Sequence, residues 1–238
     1  MQLLHVLQVA FLCLASLGFS HDHHYSYPGL DYGQIPINRS ISSMDSIPYS
    51  TRAYWMRQAN TALGSPCPFA AFGTVIVNHT ANDAGPGELV CAGANNRSST
   101  GNPILHGEIV AINNCTQILT DPQGPYKLSP SEALNAFANL TLYTNAESCP
   151  MCASAIRWAG FKEYVYGTSI DTLTAKGWSQ IQISSAEVFQ KSSGLSPSGT
   201  LIAGVLTNET DPYFLWQYDA EYPCPKGCSR VEGSCEAN

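Results

Sequence analysis

The sequence predicts an α/β domain built on a mixed β-sheet. Two extended apolar segments flank a turn-rich stretch between residues 69 and 95, which is the pattern of a β-hairpin. After Leu105, helical and strand-like segments alternate, as they do where helices are layered on a sheet. No internal repeat and no second set of periodic apolar segments divides the 238 residues into two cores.

The elements follow in order. Residues 1–20, "MQLLHVLQVAFLCLASLGFS", are apolar from Leu3 to Leu17 and place Gly18 and Ser20 where a signal peptidase would cut. This reads as a secretory signal peptide. The alternative, a membrane anchor, rests on the absence of Lys or Arg at its start, but about 15 apolar residues are short for a bilayer. Secretion and a soluble mature chain, with no membrane contact after cleavage, are the expectations. Residues 21–47 lack hydrophobic periodicity and read as an extended N-terminal arm, in which His21, His23 and His24 are solvated.

Residues 48–220 carry the periodic segments. "STRAYWMRQANTAL", Ser50 to Leu63, repeats Ala53, Met56, Ala59 and Leu63 at helical spacing before Gly64. "FAAFGTVIVN" and "ELVCAGAN" form the hairpin, with Phe69 and Phe72 assigned to the core. A helix starts near His106 and buries Ile109, Ile112 and Cys115, after which "TDPQGPYKLSPSEA" reads as a loop. Then come the strand "NLTLYTN" and a helix "CPMCASAIRWAG", with Pro150 in its first turn and Gly160 at its end. The strand "EYVYGTS", a short helix "DTLTAKGW", a strand-like "IQISS", a Ser/Gly-rich loop, the strand "LIAGVL" and a last helix over 209–218 complete the domain. In that last helix Tyr213, Phe214, Trp216 and Tyr218 serve equally well as a buried face or as a stacking surface for a planar base.

Composition excludes some partners. With 11 basic and 18 acidic residues the net charge is −7, and no Lys/Arg cluster is present to neutralise phosphates, so a nucleic-acid polymer is excluded as the substrate. Charged residues make up 12%, about half the usual share, and glycans would offset that. Acceptor triplets occur at Asn38, Asn78, Asn96, Asn114, Asn139 and Asn208. Use is disfavoured at Asn139, which opens an apolar strand, and at Asn114, which Cys115 follows.

Cys13 leaves with the signal peptide, and eight cysteines remain. Cys149 and Cys152 can be half of a metal site, a redox pair or disulfide partners. If they hold a metal, Cys67, Cys91, Cys115, Cys224, Cys228 and Cys235 can form three bridges in any of 15 pairings, and parity does not choose. The clustering of the last three implies that the tail, 221–238, is pinned.

Two helix starts carry the chemistry. "HGE" places His106 and Glu108 in one first turn, and "CPMC" places Cys149 and Cys152 in another. Thiolates at i and i+3 share a helical face and can grip one ion with His106 as the third ligand. Three protein ligands and an open position characterise catalytic zinc, and Glu108 stands where it can take a proton from water. A redox pair would need no His-x-Glu elsewhere in the chain.

"HGE" followed by "ESCPMC" resembles the zinc-binding signature of the cytidine and deoxycytidylate deaminase superfamily. The likeness extends to "CPFAAFGTVIV", "CAGANN", "LYTNAESCPMCASAI" and "AGVLTNE", and covers roughly residues 50–218. It implies a three-layer α/β/α fold on a five-stranded mixed sheet. It further implies one Zn2+ per chain on His106, Cys149 and Cys152, Glu108 as proton shuttle, Asn95 as a substrate contact, and a homodimer. The branch it is most similar to, guanine and tRNA-type adenosine deaminases, has its fifth strand parallel to its fourth. The expected reaction is hydrolytic deamination of a free nucleobase or nucleoside, guanine or a related aminopurine first, cytidine or adenosine next. A catalytically silent extracellular binding module on the same fold is the alternative. Two positions depart from the pattern: Gly107 replaces the usual alanine, which leaves room near the metal, and Ser148 replaces the usual proline.

Overall fold

The computed structural model describes residues 47–80 and 85–238. The expected signal peptide, nearly all of the N-terminal arm with its three histidines, and Asn38 lie outside the described residues. Helix α1 (Tyr49–Thr61) leads into the antiparallel hairpin β1 (Gly73–Asn78) and β2 (Glu88–Ala94). A four-residue turn of helix, α2 (Arg97–Thr100), precedes α3 (Gly107–Thr120) and α4 (Pro130–Ala136). Strand β3 (Leu140–Ala146), helix α5 (Pro150–Ala159) and strand β4 (Glu163–Thr168) form a parallel crossover unit. Two short helices, α6 (Ile170–Ala175) and α7 (Ser185–Lys191), then lead to β5 (Thr200–Ile202), which pairs parallel to β4.

The five strands order as β2-β1-β3-β4-β5, the mixed sheet that the family resemblance implies, with its fifth strand parallel to its fourth. Alternation along the strands divides the core between the two faces. Val75, Val77, Tyr143 and Val165 pack with Ala53, Met56 and Ala59 of α1. Their neighbours Ile76, Leu142 and Tyr164 pack on the other face with Ala111 and Cys115 of α3 and Ile156 of α5. All seven residues of β3 are buried, as a strand covered on both faces requires.

Helix α5 shows why its boundaries were readable. Pro150 occupies the first turn, where a missing N–H costs nothing, and Gly160 ends the helix at φ 75°, donating its N–H to Ile156. Helix α3 lies so close to the hairpin that a Cβ on Gly93 would stand 2.3 Å from the Ala111 nitrogen.

Three segments differ from expectation. The stretch "IQISS" forms no strand; Ile181 and Ile183 alternate but are 62% and 38% exposed, and β4 is joined instead by Thr200–Ile202. Alternation without a neighbouring strand does not make one. The supposed loop before β3 contains α4, started by a capping box in which Ser129 and Glu132 each satisfy the other's backbone N–H. The last helix is two, α8 (Thr207–Thr210) and α9 (Pro212–Leu215), because Pro212 cannot donate to the preceding turn.

The tail is pinned as expected, and folds into a small hairpin of β6 (Cys228–Val231) and β7 (Ser234–Ala237). The bridges are Cys67–Cys228, Cys91–Cys115 and Cys224–Cys235. Among the described residues, no helix is long and apolar enough to cross a membrane.

Candidate metal centre and active site

The site lies where the end of β2, the start of β1 and the loops after β3 and β4 meet. His106 is the N-cap of α3, with the extended backbone of a capping position, and Cys149 is the N-cap of α5. Two helix N-termini therefore converge, and their dipoles favour negative charge between them. Cys149 Sγ stands 3.6 Å from His106 Nδ1. Among the described residues, one atom each from His106, Cys149 and Cys152 lie within 4.8 Å of one another.

That donor set fits zinc. A tetrahedral ion with sulfur at about 2.3 Å and imidazole nitrogen at about 2.1 Å separates those two donors by roughly 3.6 Å, the distance found here. The Cys149 thiol is pulled down to about 4, first by its hydrogen bond with Cys152 and then by His106, against the opposing effect of burial. The Cys152 thiol is pushed up by the same interaction with Cys149, and by burial. His106 is raised chiefly by its contact with the Cys149 sulfur.

Glu108 is buried in the first turn of α3, and burial pushes its carboxyl above the ordinary range. The Ser148 hydroxyl opposes that shift from nearby, but is itself buried without a hydrogen-bond partner of good geometry. Asn95 follows β2, and its N–H donates to the Phe72 carbonyl at 2.9 Å. Both Glu108 and Asn95 line a cavity of about 900 Å³ together with His106 and Cys149. The sequence-designated residues are therefore brought together, from elements separated by more than 40 positions.

Gly107 has a different explanation from the one its sequence position offered. A Cβ there would meet the Phe72 carbonyl oxygen at 2.6 Å, so the glycine admits the backbone entering β1 rather than leaving room near the metal. That same carbonyl accepts from the Asn95 N–H, so Gly107 and Asn95 pack against one backbone group.

The aromatic residues divide unexpectedly. Phe69 is 57% exposed and lines the cavity with Phe72, whereas Phe214 and Trp216 are buried. Phe69 stands out because its loop is held from behind by the Cys67–Cys228 bridge and by Gln217 donating to its carbonyl at 2.9 Å. Trp178, with Ser179, Gln180 and Ile181 after it, forms a wall that sequence reasoning missed. The sequence reading placed Trp178 inside the short helix "DTLTAKGW", whereas α6 ends at Ala175 and leaves Trp178 in the loop beyond. Trp178 meets Phe69 and Phe72 at ring-centroid distances of 5.5 Å. Arg97 and Ser98 stand at the mouth.

The glycosylation candidates also separate. Asn96, Asn139 and Asn208 are exposed, and Asn78 is half-buried. The Asn114 amide is already donated to the Ala92 carbonyl at 2.9 Å, in line with the doubt its neighbour Cys115 raised.

Two thiols and an imidazole at helix N-termini, with a buried carboxylate two residues from the imidazole, define a zinc-deaminase type of centre. Residues 49–168 match the cytidine and deoxycytidylate deaminase zinc-binding region. The chain belongs to the cytidine and deoxycytidylate deaminase family. Guanine deaminase of Bacillus subtilis (strain 168) is 33% identical over 107 residues, 45% of this chain and 53% of that protein. A probable cytosine deaminase of Schizosaccharomyces pombe (strain 972 / ATCC 24843) is 29% identical over 102 residues, 43% of this chain and 49% of that protein. The chain thus spans about half the length of these curated relatives. The structure of a guanine deaminase from Nitrosomonas europaea superposes with a TM-score of 0.47 at 18% identity, over 70% of this chain and 82% of that one.

Proposed function

We propose that the protein is a secreted, zinc-dependent hydrolase that deaminates a free nucleobase or nucleoside, guanine or a related aminopurine foremost, with cytidine and adenosine next. One observation carries this reading: His106, Cys149 and the buried Glu108 carboxylate line one cavity, and Cys152 places its sulfur within 4.8 Å of the other two donors. His106, Cys149 and Cys152 would hold one zinc ion, which supplies Lewis-acid activation of water when bound. Glu108, which has no salt bridge among the described residues, would take a proton from water and pass it to the departing amine. Asn95 donates and accepts hydrogen bonds at the ring edge, and the Phe69, Phe72 and Trp178 faces hold a planar ring.

The similarity to a guanine deaminase over 107 residues supports an aminopurine, and net charge −7 supports a small substrate over a polyanion. Three disulfides support an oxidising compartment, hence secretion. Sugars at the exposed Asn96, Asn139 and Asn208 would suit that route. Asn139, disfavoured because it opens an apolar strand, is exposed nonetheless. The test is ammonia release from a panel of bases and nucleosides, with Glu108→Ala as control and zinc content measured in parallel. Release from guanine, lost in the control, is expected; a zinc-loaded protein that releases nothing from any panel member sinks the proposal.

A further inference from the structure

Ser148 immediately precedes the first thiol donor and is fully buried. Proline, which the family resemblance leads one to expect there, has no N–H and fixes its own backbone. Serine has an N–H that must find a partner. It donates to the Tyr164 hydroxyl at 2.7 Å. The Ser148 carbonyl accepts from the Ser185 hydroxyl at 3.0 Å, and the Tyr164 and Ser185 oxygens are 3.3 Å apart. Because the only proton of Ser185 goes to that carbonyl, Tyr164 must donate to Ser185. The ring of hydrogen bonds therefore closes: Ser148 N–H to Tyr164, Tyr164 to Ser185, Ser185 back to Ser148.

All three residues are buried, and the Tyr164 ring is fixed between Tyr166 and Phe189, each with its centroid 5.6 Å away. Glu147, one residue earlier, is tied as well; its carboxylate accepts from the N–H of Ile170 at 2.9 Å and of Ser185 at 2.7 Å. Its own N–H continues the β3–β4 ladder by donating to Thr168 at 2.7 Å. A residue before proline favours extended backbone, and this ladder bond carries the pairing of β3 one residue further, up to position 148.

We propose that Tyr164 is a positioning residue for the zinc ligand Cys149, its hydroxyl replacing the rigidity that a proline at 148 would supply. The inference rests on the zinc centre proposed above. It is tested by the zinc dissociation constant, measured by competition with a chromophoric chelator, for the wild type, Tyr164→Phe, Ser148→Pro and the double variant. Wild type holds about one zinc. Tyr164→Phe weakens binding by roughly 10-fold to 100-fold, the range found when a ligand's supporting contact is removed. Ser148→Pro alone stays within about threefold of wild type, and added to Tyr164→Phe it restores binding to that range, because no N–H then needs the hydroxyl. A merely structural tyrosine would not be rescued by a proline 16 positions away.

Tyr164→Phe binding zinc as tightly as wild type, or a double variant as weak as the single, overturns the inference and leaves the zinc centre standing. Should Tyr164→Phe not fold, Ser148→Pro decides alone: a tenfold loss there means that the position cannot use a proline and overturns the inference, while retained zinc supports it. A wild-type protein that binds no zinc overturns the centre and the inference together.

Discussion

Cysteine has two fates in this molecule, and the contrast shows what geometry adds to composition. Away from the metal corner, six cysteines are paired across elements, with Cα separations of 6.5, 5.2 and 5.6 Å. At the start of α5, Cys149 and Cys152 are the two free cysteines among the described residues. Both groups are equally suited to oxidation by residue type. What differs is the neighbourhood: the six paired sulfurs are joined to each other, while Cys149 has Cys152 and His106 beside it, and their hydrogen bonds lower its pKa. In the proposed zinc centre that sulfur is a ligand, and ligation would keep it from the fate of the other six.

The strongest way to break the contrast is to remove one ligand. His106→Ala and Cys152→Ala are expected to lose zinc and with it all measurable deamination. Denatured without reductant, the wild type should then yield two reactive thiols within residues 47–238, both from α5. A titre of none, with Cys149 and Cys152 joined to each other, would make the two regions alike and end the metal reading. Next in size is Glu108→Gln, expected to lower kcat by about 10²-fold to 10⁴-fold while zinc content is unchanged. Because burial raises the Glu108 carboxyl, and the reaction needs it ionised, activity should fall with decreasing pH on a limb placed above 4.5. A limb below that value would show that another group sets it.

The staples should behave in the opposite way, affecting stability before chemistry. In the chain-entropy picture, the Cys67–Cys228 bridge, with sequence separation 161, contributes about 5 kcal/mol, and Cys224–Cys235, with separation 11, about 3 kcal/mol. Replacing each pair by serine should lower the melting temperature in that order, with zinc retained in both. Loss of Cys67–Cys228 should also raise KM more than it lowers kcat, because that bridge backs the loop carrying Phe69. Equal KM in both variants would mean that the loop stands without its bridge.

The sequence made one half of this contrast legible and hid the other. Helical spacing gave α1 and α3, Pro150 and Gly160 bounded α5, and the pairing of "HGE" with "CPMC" pointed to the metal corner, because ligand chemistry restricts residue type and spacing at once. Disulfide pairing was invisible, since it depends on which loops the fold brings together; Cys67 and Cys228 are neighbours only after the tail has folded back. The Trp178 wall was hidden for the same reason. Helix α4 was legible in principle: Ser129 and Glu132 spell a capping box, but the glycine and two prolines before it read as loop. The alternation of Ile181 and Ile183 misled because period alone does not say whether a partner strand is present.

The smallest expected effect tests whether the metal corner tolerates change as the staples' surroundings do. Gly107→Ala should raise helix propensity in α3 by about 1 kcal/mol. Against this, the new Cβ stands 2.6 Å from the Phe72 carbonyl oxygen, a backbone atom anchored by the Asn95 N–H and unable to swing aside. Overpacking of that kind costs typically 1–3 kcal/mol, so the net change is destabilising by up to about 2 kcal/mol. Gly194, with nothing within 4 Å of its Cβ position, provides the matched control, and Gly194→Ala should leave the melting temperature nearly unchanged. If Gly107→Ala melts higher than wild type, the β1 entry yields freely, and the corner is no more rigid than the rest of the surface.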